Sequence, residues 1–306
     1  MAEITASMVK DLRDRTGAAM MLCKEALKES DGAIEEAIVY IRKKLGAKLS
    51  DRGERVTAEG VVAVAVVDER DGAIVELNSE TDFVARNEEF KNLANELAVQ
   101  IAKSRVGSVE ELMQLQSLTE TAMTVQERIH DVFSRLRESI VFRRFSFVST
   151  GPNGSLAAYV HVPSNDKIGV LVELETDSPE AAASESIHTL GKEIAMQVAA
   201  SRPRYLTREE VPERVLDQER DIARVTARNE GKPDAAVEKI VEGRVRKFYE
   251  ETVLLDQPYL RDPKRTVAKL IQQAGSGVKL RRFIRYEVGE QDGGASASGS
   301  IKESVE

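Results

Sequence analysis

Two stretches of this chain repeat each other at one fixed distance. Val75-Glu76-Leu77 returns as Val172-Glu173-Leu174, and Ala98-Val99-Gln100-Ile101-Ala102 returns as Ala195-Met196-Gln197-Val198-Ala199, both at an offset of 97. One shared triplet is chance, whereas two matches in the same order at one offset indicate an internal duplication. The surroundings agree. Val61 to Val67 is a β-branched run, Asp71-Gly72 is a hairpin turn signal, and Ala73 to Leu77 returns as a second strand. Phe90, Leu93, Ala94, Leu97 and Ile101 then mark a helix face. Glu110 to Leu136 reads as largely helical and Ile140 to Val148 as a strand. In the second copy, Leu156 to Val162 and Ile168 to Leu174 read as strands around the turn Pro163-Ser164-Asn165-Asp166. Ser178-Pro179-Glu180 opens a helix with a cap, an early proline and an early acid. Ile187, Leu190, Ile194 and Val198 give its apolar face, and Phe283 to Val288 closes the copy. The fold class is α+β, with a duplicated core.

The segments outside the duplication are helical. Three short helices lie between Ile4 and Leu45, with apolar faces at Val9 and Leu12, at Met20, Met21, Ala26 and Leu27, and at Ile34, Ala37, Ile38 and Ile41. Met20 and Met21 are adjacent and so about 100° apart on a helix, too far for both to point at the centre of so small a core. One is expected outside, as loose packing or as a flexible contact for a partner. Lys48 to Arg55 is polar and reads as a linker. Within the second copy, Pro212 to Asn229 carries a thin stripe of Val215, Ile222 and Val225. The turn Asn229-Glu230-Gly231-Lys232-Pro233 leads to a helix with Val237, Ile240, Val241, Val245 and Phe248. The pair makes an antiparallel helical hairpin that either reaches a partner or packs on its own unit. The expected layout is a helical N-terminal domain and linker at 1–55, core units at 56–150 and 151–290 with the hairpin inserted at about 211–250, and a tail at 291–306 whose Gly, Ser and charged composition is that of disorder.

Most chemistries find no residues to carry them. A formal net charge of −8 argues against nucleic acid as a partner, because phosphate affinity comes from Lys and Arg. The basic clusters Arg143-Arg144 and Lys279-Leu280-Arg281-Arg282 read as strand-edge charges. No GxxxxGK[ST] or GxGxxG motif is present, so the chain is expected to have no nucleotide site of its own. His130, His161 and His188 lie far apart, so no metal site and no cofactor are expected. Cys23 is the single cysteine and sits among apolar neighbours, which fits core packing and a reducing, cytoplasmic compartment. No apolar run reaches the roughly 20 residues of a membrane helix, and Met1-Ala2-Glu3-Ile4 lacks a signal pattern. Glu80 and Asp82 on one short loop would simply ionise, so an enzyme with its own covalent chemistry is not expected.

One loop does not read as ordinary core sequence. Between the strand ending at Leu77 and the helix starting near Asn87 lies Asn78-Ser79-Glu80-Thr81-Asp82-Phe83-Val84-Ala85-Arg86, with an acid and a large aromatic side by side. Such connections are usually at the surface. Phe83 either plugs the core with Asp82 as a turn acid, or is offered to a partner. The second copy has Thr176-Asp177 in the corresponding place, shifted by two.

Ile4-Thr5-Ala6, Leu12-Arg13, Thr16-Gly17-Ala18, Cys23-Lys24 and Ala26-Leu27, followed by Thr81-Asp82-Phe83-Val84-Ala85, resemble the elongation factor Ts family. Ala195-Met196-Gln197-Val198-Ala199-Ala200, Val241-Glu242-Gly243-Arg244, Leu255-Asp256-Gln257-Pro258 and Arg285-Tyr286-Glu287-Val288-Gly289-Glu290 extend the resemblance over nearly the whole chain. It implies a ubiquitin-associated-like N-terminal domain, a duplicated core with an inserted hairpin, and a guanine-nucleotide exchange factor whose partner is elongation factor Tu in translation elongation. In the family an Asp-Phe pair wedges into the partner's nucleotide domain, disturbs its magnesium site and releases GDP. The resemblance puts Thr81, Asp82, Phe83 and Val84 in that role, and Arg13, Met20 and Met21 on the N-terminal contact face. It leaves a homodimer, or a dimer of heterodimers, open. The family often has His where this chain has Gln197, on the helix that reaches toward the partner's phosphate loop. Gln197 is expected about 100° off the centre of its helix's apolar face, at the edge of the core. There it either hydrogen-bonds the partner or, like Gln100, satisfies nearby backbone. A protein-binding adaptor built on the N-terminal domain would keep its affinity for a partner but leave nucleotide release unchanged, and a ribosome- or RNA-associated factor is disfavoured by the acidic balance.

Overall fold

The computed structural model describes residues 4–16, 18, 20–34, 36–38, 40–41, 59–275 and 277–290. The expected linker at 48–55 and tail at 291–306 lie outside the described residues. Near the N-terminus, α1 (Ala6–Thr16) and α2 (Met20–Glu29) pack with the helical residues Ile34, Glu36 to Ile38, Tyr40 and Ile41. Leu12, Cys23, Ala26, Leu27, Ala37 and Ile41 fill their shared core. Asp31 ends α2 in the left-handed conformation, and the Gly32 N–H reaches back to the Leu27 carbonyl at 2.8 Å, a Schellman closure.

The duplication holds element by element. The first copy runs β1 (Glu59–Val67), β2 (Asp71–Ser79), α3 (Asp82–Ala85), α4 (Glu88–Ser104), α5 (Val109–Gln114), α6 (Val125–Leu136) and β3 (Ile140–Ser149). The second begins β4 (Gly154–Val160), β5 (Ile168–Glu175), α7 (Pro179–Ala182) and α8 (Glu185–Ser201). Then come α9 (Glu213–Asn229), α10 (Asp234–Thr252), the short pair β6 (Pro258–Tyr259) and β7 (Asp262–Thr266), α11 (Val267–Ala274) and β8 (Lys279–Glu287). The sheets are β1-β2-β3 and β4-β5-β8, each antiparallel with the central strand second. Val75 and Val172 therefore occupy equivalent strands. The offset of 97 also relates the short helices α3 and α7, the long helices α4 and α8, and their left-handed end residues Arg105 and Arg202. It relates the strand irregularities at Glu76/Leu77 and Glu173/Leu174 as well. Beyond α8 the offset becomes 142, at Leu118 and Leu260 and at the capping residues Thr124 and Thr266, so 45 residues have been inserted between. The α9–α10 hairpin is that insertion.

Each long helix covers one face of its own sheet. Phe90, Leu93, Leu97 and Ile101 of α4 pack with Val61, Val75 and Leu77, and Ile187, Leu190, Ile194 and Val198 of α8 with Val170, Val172 and Leu174. The opposite sheet faces meet each other through Val62, Ile74, Val148, Leu156, Leu171, Ile284 and Tyr286. Glycines set how closely they approach. A Cβ on Gly169 would lie 2.4 Å from Val62 Cγ1, and one on Gly72 would lie 3.0 Å from Leu156 and Leu171. Equivalent ion pairs join the central strand of each sheet to its third strand: Arg144 Nε to Glu76 at 2.7 Å, and Arg282 Nε to Glu173 at 2.5 Å.

Several local expectations are corrected. Asp71-Gly72 is strand, paired with Val67 and Val66. The turn is Asp68-Glu69, both left-handed, closed by the Arg70 N–H on the Val67 carbonyl at 3.1 Å. Its counterpart is Asn165-Asp166, also left-handed and at offset 97. Glu110 to Leu136 is broken between α5 and α6, because Thr124 and Glu127 form a reciprocal capping box that starts a new helix. The helix opened by Ser178 stops at Ala182, and the long one begins at Glu185. The strand from Leu156 starts at Gly154 and ends at Val160, with Val162 in a 3-10 turn, and the last strand begins at Lys279 rather than Phe283. The hairpin seam uses Ala223 and Ala227 of α9 against Val237 and Val241, while Ile222 and Val225 are exposed. Leu216 and Phe248 continue it toward the base. Small residues there let the helix backbones approach. Among the described residues no helix is long and apolar enough to cross a membrane, and no three His, Cys, Asp or Glu side chains are set to hold a metal ion.

Candidate functional site

The loop after β2 folds into a short, tightly held turn. The Ser79 hydroxyl donates to the Thr81 carbonyl at 3.0 Å. Thr81 has extended backbone and caps α3, its hydroxyl accepting from the Val84 N–H at 3.4 Å. Asn87 caps α4 directly afterwards, accepting from the Glu89 N–H at 2.8 Å. Val84 enters the core with Leu77 and Phe90, and Ala85 is buried. Phe83, between two anchored residues, points the other way and is 82% exposed. Asp82 is half-buried and pairs with Arg86 one turn on, at 3.1 Å. A pair this open adds at most about 1 kcal/mol. Of the four residues the sequence picks out here, Thr81 and Val84 hold the turn, while Asp82 and Phe83 are what it presents.

The same turn exists in the second copy with different letters. The equivalents of Thr81, Asp82, Phe83 and Val84 at offset 97 are Ser178, Pro179, Glu180 and Ala181, not the shifted pair Thr176-Asp177. Ser178 caps α7 as Thr81 caps α3, accepting from the Ala181 N–H at 3.2 Å. The turn therefore forms with Glu where the first copy has Phe, and the fold does not require an aromatic ring at this position.

Arg13, Met20 and Met21 lie apart from this turn, on α1 and α2. Arg13 is exposed. Both methionines are exposed as well, at 55% and 75%, where only one was expected outside. Cys23, Ala26 and Leu27 already fill the inward face of α2, so neither Met20 nor Met21 is needed there. Burial raises the Cys23 thiol pKa, with a hydrogen bond from Thr16 and the charge of Arg13 opposing it, so the thiol is not primed for reaction.

Gln197 is not at the edge of the core. It is 2% exposed, and its amide is committed within the chain. Nε2 donates to Gln257 Oε1 and to the Pro258 carbonyl, each at 3.2 Å, and Oε1 accepts from the Leu260 N–H at 2.9 Å. Gln100 does the same in the first copy. It donates to the Gln116 carbonyl at 3.3 Å and accepts from the Leu118 N–H at 2.9 Å. Both glutamines brace the returning loop of their own unit.

A carboxylate far along the chain also belongs to the site. Glu138 accepts from the Thr81 N–H at 3.1 Å and from the Thr81 hydroxyl at 2.9 Å. It is 57 residues from Thr81, in no motif and on no periodic face, so nothing in the local sequence marks it.

Comparison with known proteins agrees with this architecture. The family model for Elongation factor TS matches residues 80–290. An Elongation factor Ts from Clostridium acetobutylicum is 42% identical over 292 residues, covering 94% of this chain and 93% of that protein. An Elongation factor Ts from Clostridium botulinum is 43% identical over the same share of each chain.

Proposed function

The chain belongs to the elongation factor Ts family, the nucleotide-exchange factors of elongation factor Tu in translation, and from that premise we propose that Asp82 and Phe83 form the element that expels GDP. The observation carrying this reading is an aromatic ring held outside the core by an anchored turn, at a position where the duplicated unit folds equally well with Glu180. A GTPase holds GDP through a phosphate loop and a bound magnesium ion. An apolar ring pushed between the elements that support that loop spoils the geometry without any bond being made or broken. Burying Phe83 in the partner contributes about 1.5–3 kcal/mol. Because the turn is already fixed in the free protein, little of that gain is lost to ordering. The coupling is reciprocal: whatever the exchange factor takes from GDP affinity, GDP takes from the affinity of the exchange factor. Asp82, beside Phe83 on the same turn, would bring its carboxylate toward that pocket and add negative charge near the magnesium site. Met20, Met21 and Arg13 supply a separate docking surface, with flexible thioethers suited to an adaptable apolar contact.

Release of fluorescent GDP from elongation factor Tu tests the reading. Phe83→Ala is expected to slow stimulated release at least about tenfold, the loss of roughly 1.4 kcal/mol of the ring's binding energy, with the melting temperature unchanged. A core plug behaves in the opposite way, losing about 3–5 kcal/mol of stability. A large fall in melting temperature with exchange otherwise intact would therefore contradict the proposal.

A further inference from the structure

The turn that carries Phe83 is strapped to the joint between α6 and β3 by two carboxylates running in opposite directions. Arg137 ends α6 in the left-handed conformation, and Glu138 follows it directly. From there the Glu138 carboxylate takes both the Thr81 N–H, at 3.1 Å, and the Thr81 hydroxyl, at 2.9 Å. The same hydroxyl accepts from the Val84 N–H, so one oxygen passes the pull of the carboxylate into the first turn of α3. In return Glu80, from the loop itself, accepts from the Ser139 N–H at 3.0 Å. In the second copy the corresponding turn is held by other partners. There the Thr176 hydroxyl donates to the Asn153 carbonyl at 2.9 Å, and Ser178 caps its helix. Glu180 of that turn also hydrogen-bonds Ser178, so the carboxylate there is local, whereas in the copy bearing the aromatic ring it comes from 57 residues away.

We infer that Glu138 is a positioning residue for nucleotide exchange: it fixes Thr81, and through Thr81 the direction in which Phe83 leaves the surface. This rests on the wedge reading of Asp82 and Phe83. The physical ground is that hydrogen bonds to a charged acceptor are roughly twice as strong as neutral ones, and that a side chain delivered into a partner acts only if its direction is set beforehand. Thr81 and Glu138 do not touch the partner in this account; they act through Phe83 alone.

That restriction gives the test. Fluorescent GDP release from elongation factor Tu is measured against exchange-factor concentration for full-length wild type, Glu138→Gln, Phe83→Ala and the double variant. Glu138→Gln is expected to lower the release rate at saturation about tenfold, the factor one charged hydrogen bond supports. The concentration giving half the maximal rate should move by less than about twofold, since the remaining contact surfaces are intact. In the Phe83→Ala background, adding Glu138→Gln should change the rate by less than about twofold, because two residues acting through one path do not add. Amide exchange at Thr81 to Ala85 should quicken in Glu138→Gln. If Glu138→Gln folds poorly, Thr81→Val removes the hydroxyl arm and Thr81→Ser restores it, and the same loss and recovery are expected. Equal fold-losses in both backgrounds, or a saturating rate within about twofold of wild type for Glu138→Gln, would overturn the assignment of Glu138. A Phe83→Ala protein that exchanges at the wild-type rate would instead remove the wedge reading, whatever Glu138→Gln does.

Discussion

Phe83 and Glu180 occupy one position in two copies of one turn, and that pairing separates what the backbone needs from what the first copy adds. The backbone needs a capping hydroxyl, supplied by Thr81 and Ser178, and a small residue facing in, supplied by Ala85 and Ala182. Gln100 and Gln197 are a second such comparison with the opposite outcome, since both make the same bonds to the same part of their unit. Gln100→Ala and Gln197→Ala should therefore each cost about 1–3 kcal/mol of stability, the penalty for stranding buried backbone groups, and urea unfolding measures both. A Gln197→Ala protein of wild-type stability with weakened partner binding would return that residue to the interface. The exposed methionines make a third case. Adjacency in sequence predicts that one leaves the core, but Cys23, with Ala26 and Leu27, packs so fully that both do.

At the level of elements, glycines report where backbones and sheets press together. Gly169 has Val62 against the place of its missing Cβ, at 2.4 Å, whereas Gly243 in α10 has nothing within 4 Å. Gly169→Ala is expected to lose about 1–3 kcal/mol by overpacking the seam between the sheets, and Gly243→Ala to gain about 0.5–1 kcal/mol from helix propensity. Thermal melts of the two variants should move in opposite directions. The strands, the long helices and the duplication are legible in the sequence because their β-branched and apolar residues recur with the period of the element. The details that escape reading lack such a signal. Glu69 in a left-handed turn carries no Gly or Asn to announce it. The hairpin seam rests on Ala223 and Ala227, which count for little in an apolar pattern, while the more conspicuous Ile222 and Val225 face out. The Asp82-Phe83 turn stands out as unusual, but the carboxylate that holds it comes from 57 residues away, across a contact no local pattern encodes.

At the scale of the whole molecule, the turn that carries Phe83 sits on two units packed against each other. The two sheets share the cluster from Val62 to Tyr286, and Lys91 of α4 reaches Asp166 of the second copy at 2.8 Å, so the copies support each other. Removing residues 1–55 should leave this double unit folding in a single cooperative transition, with matching curves by circular dichroism and fluorescence, while weakening partner binding through the loss of Met20 and Met21. Separate transitions for the two copies would show that the shared cluster does not couple them. On the proposed reading, Phe83 acts on the partner and not on its own fold. The most direct test of that reading is Phe83→Glu, which installs the residue the second copy already carries in the same turn. The predicted result is a melting temperature within about 3 °C of wild type, as for a substitution outside the core, together with loss of stimulated GDP release from elongation factor Tu. Stimulated release at the wild-type rate by a correctly folded Phe83→Glu protein would contradict it.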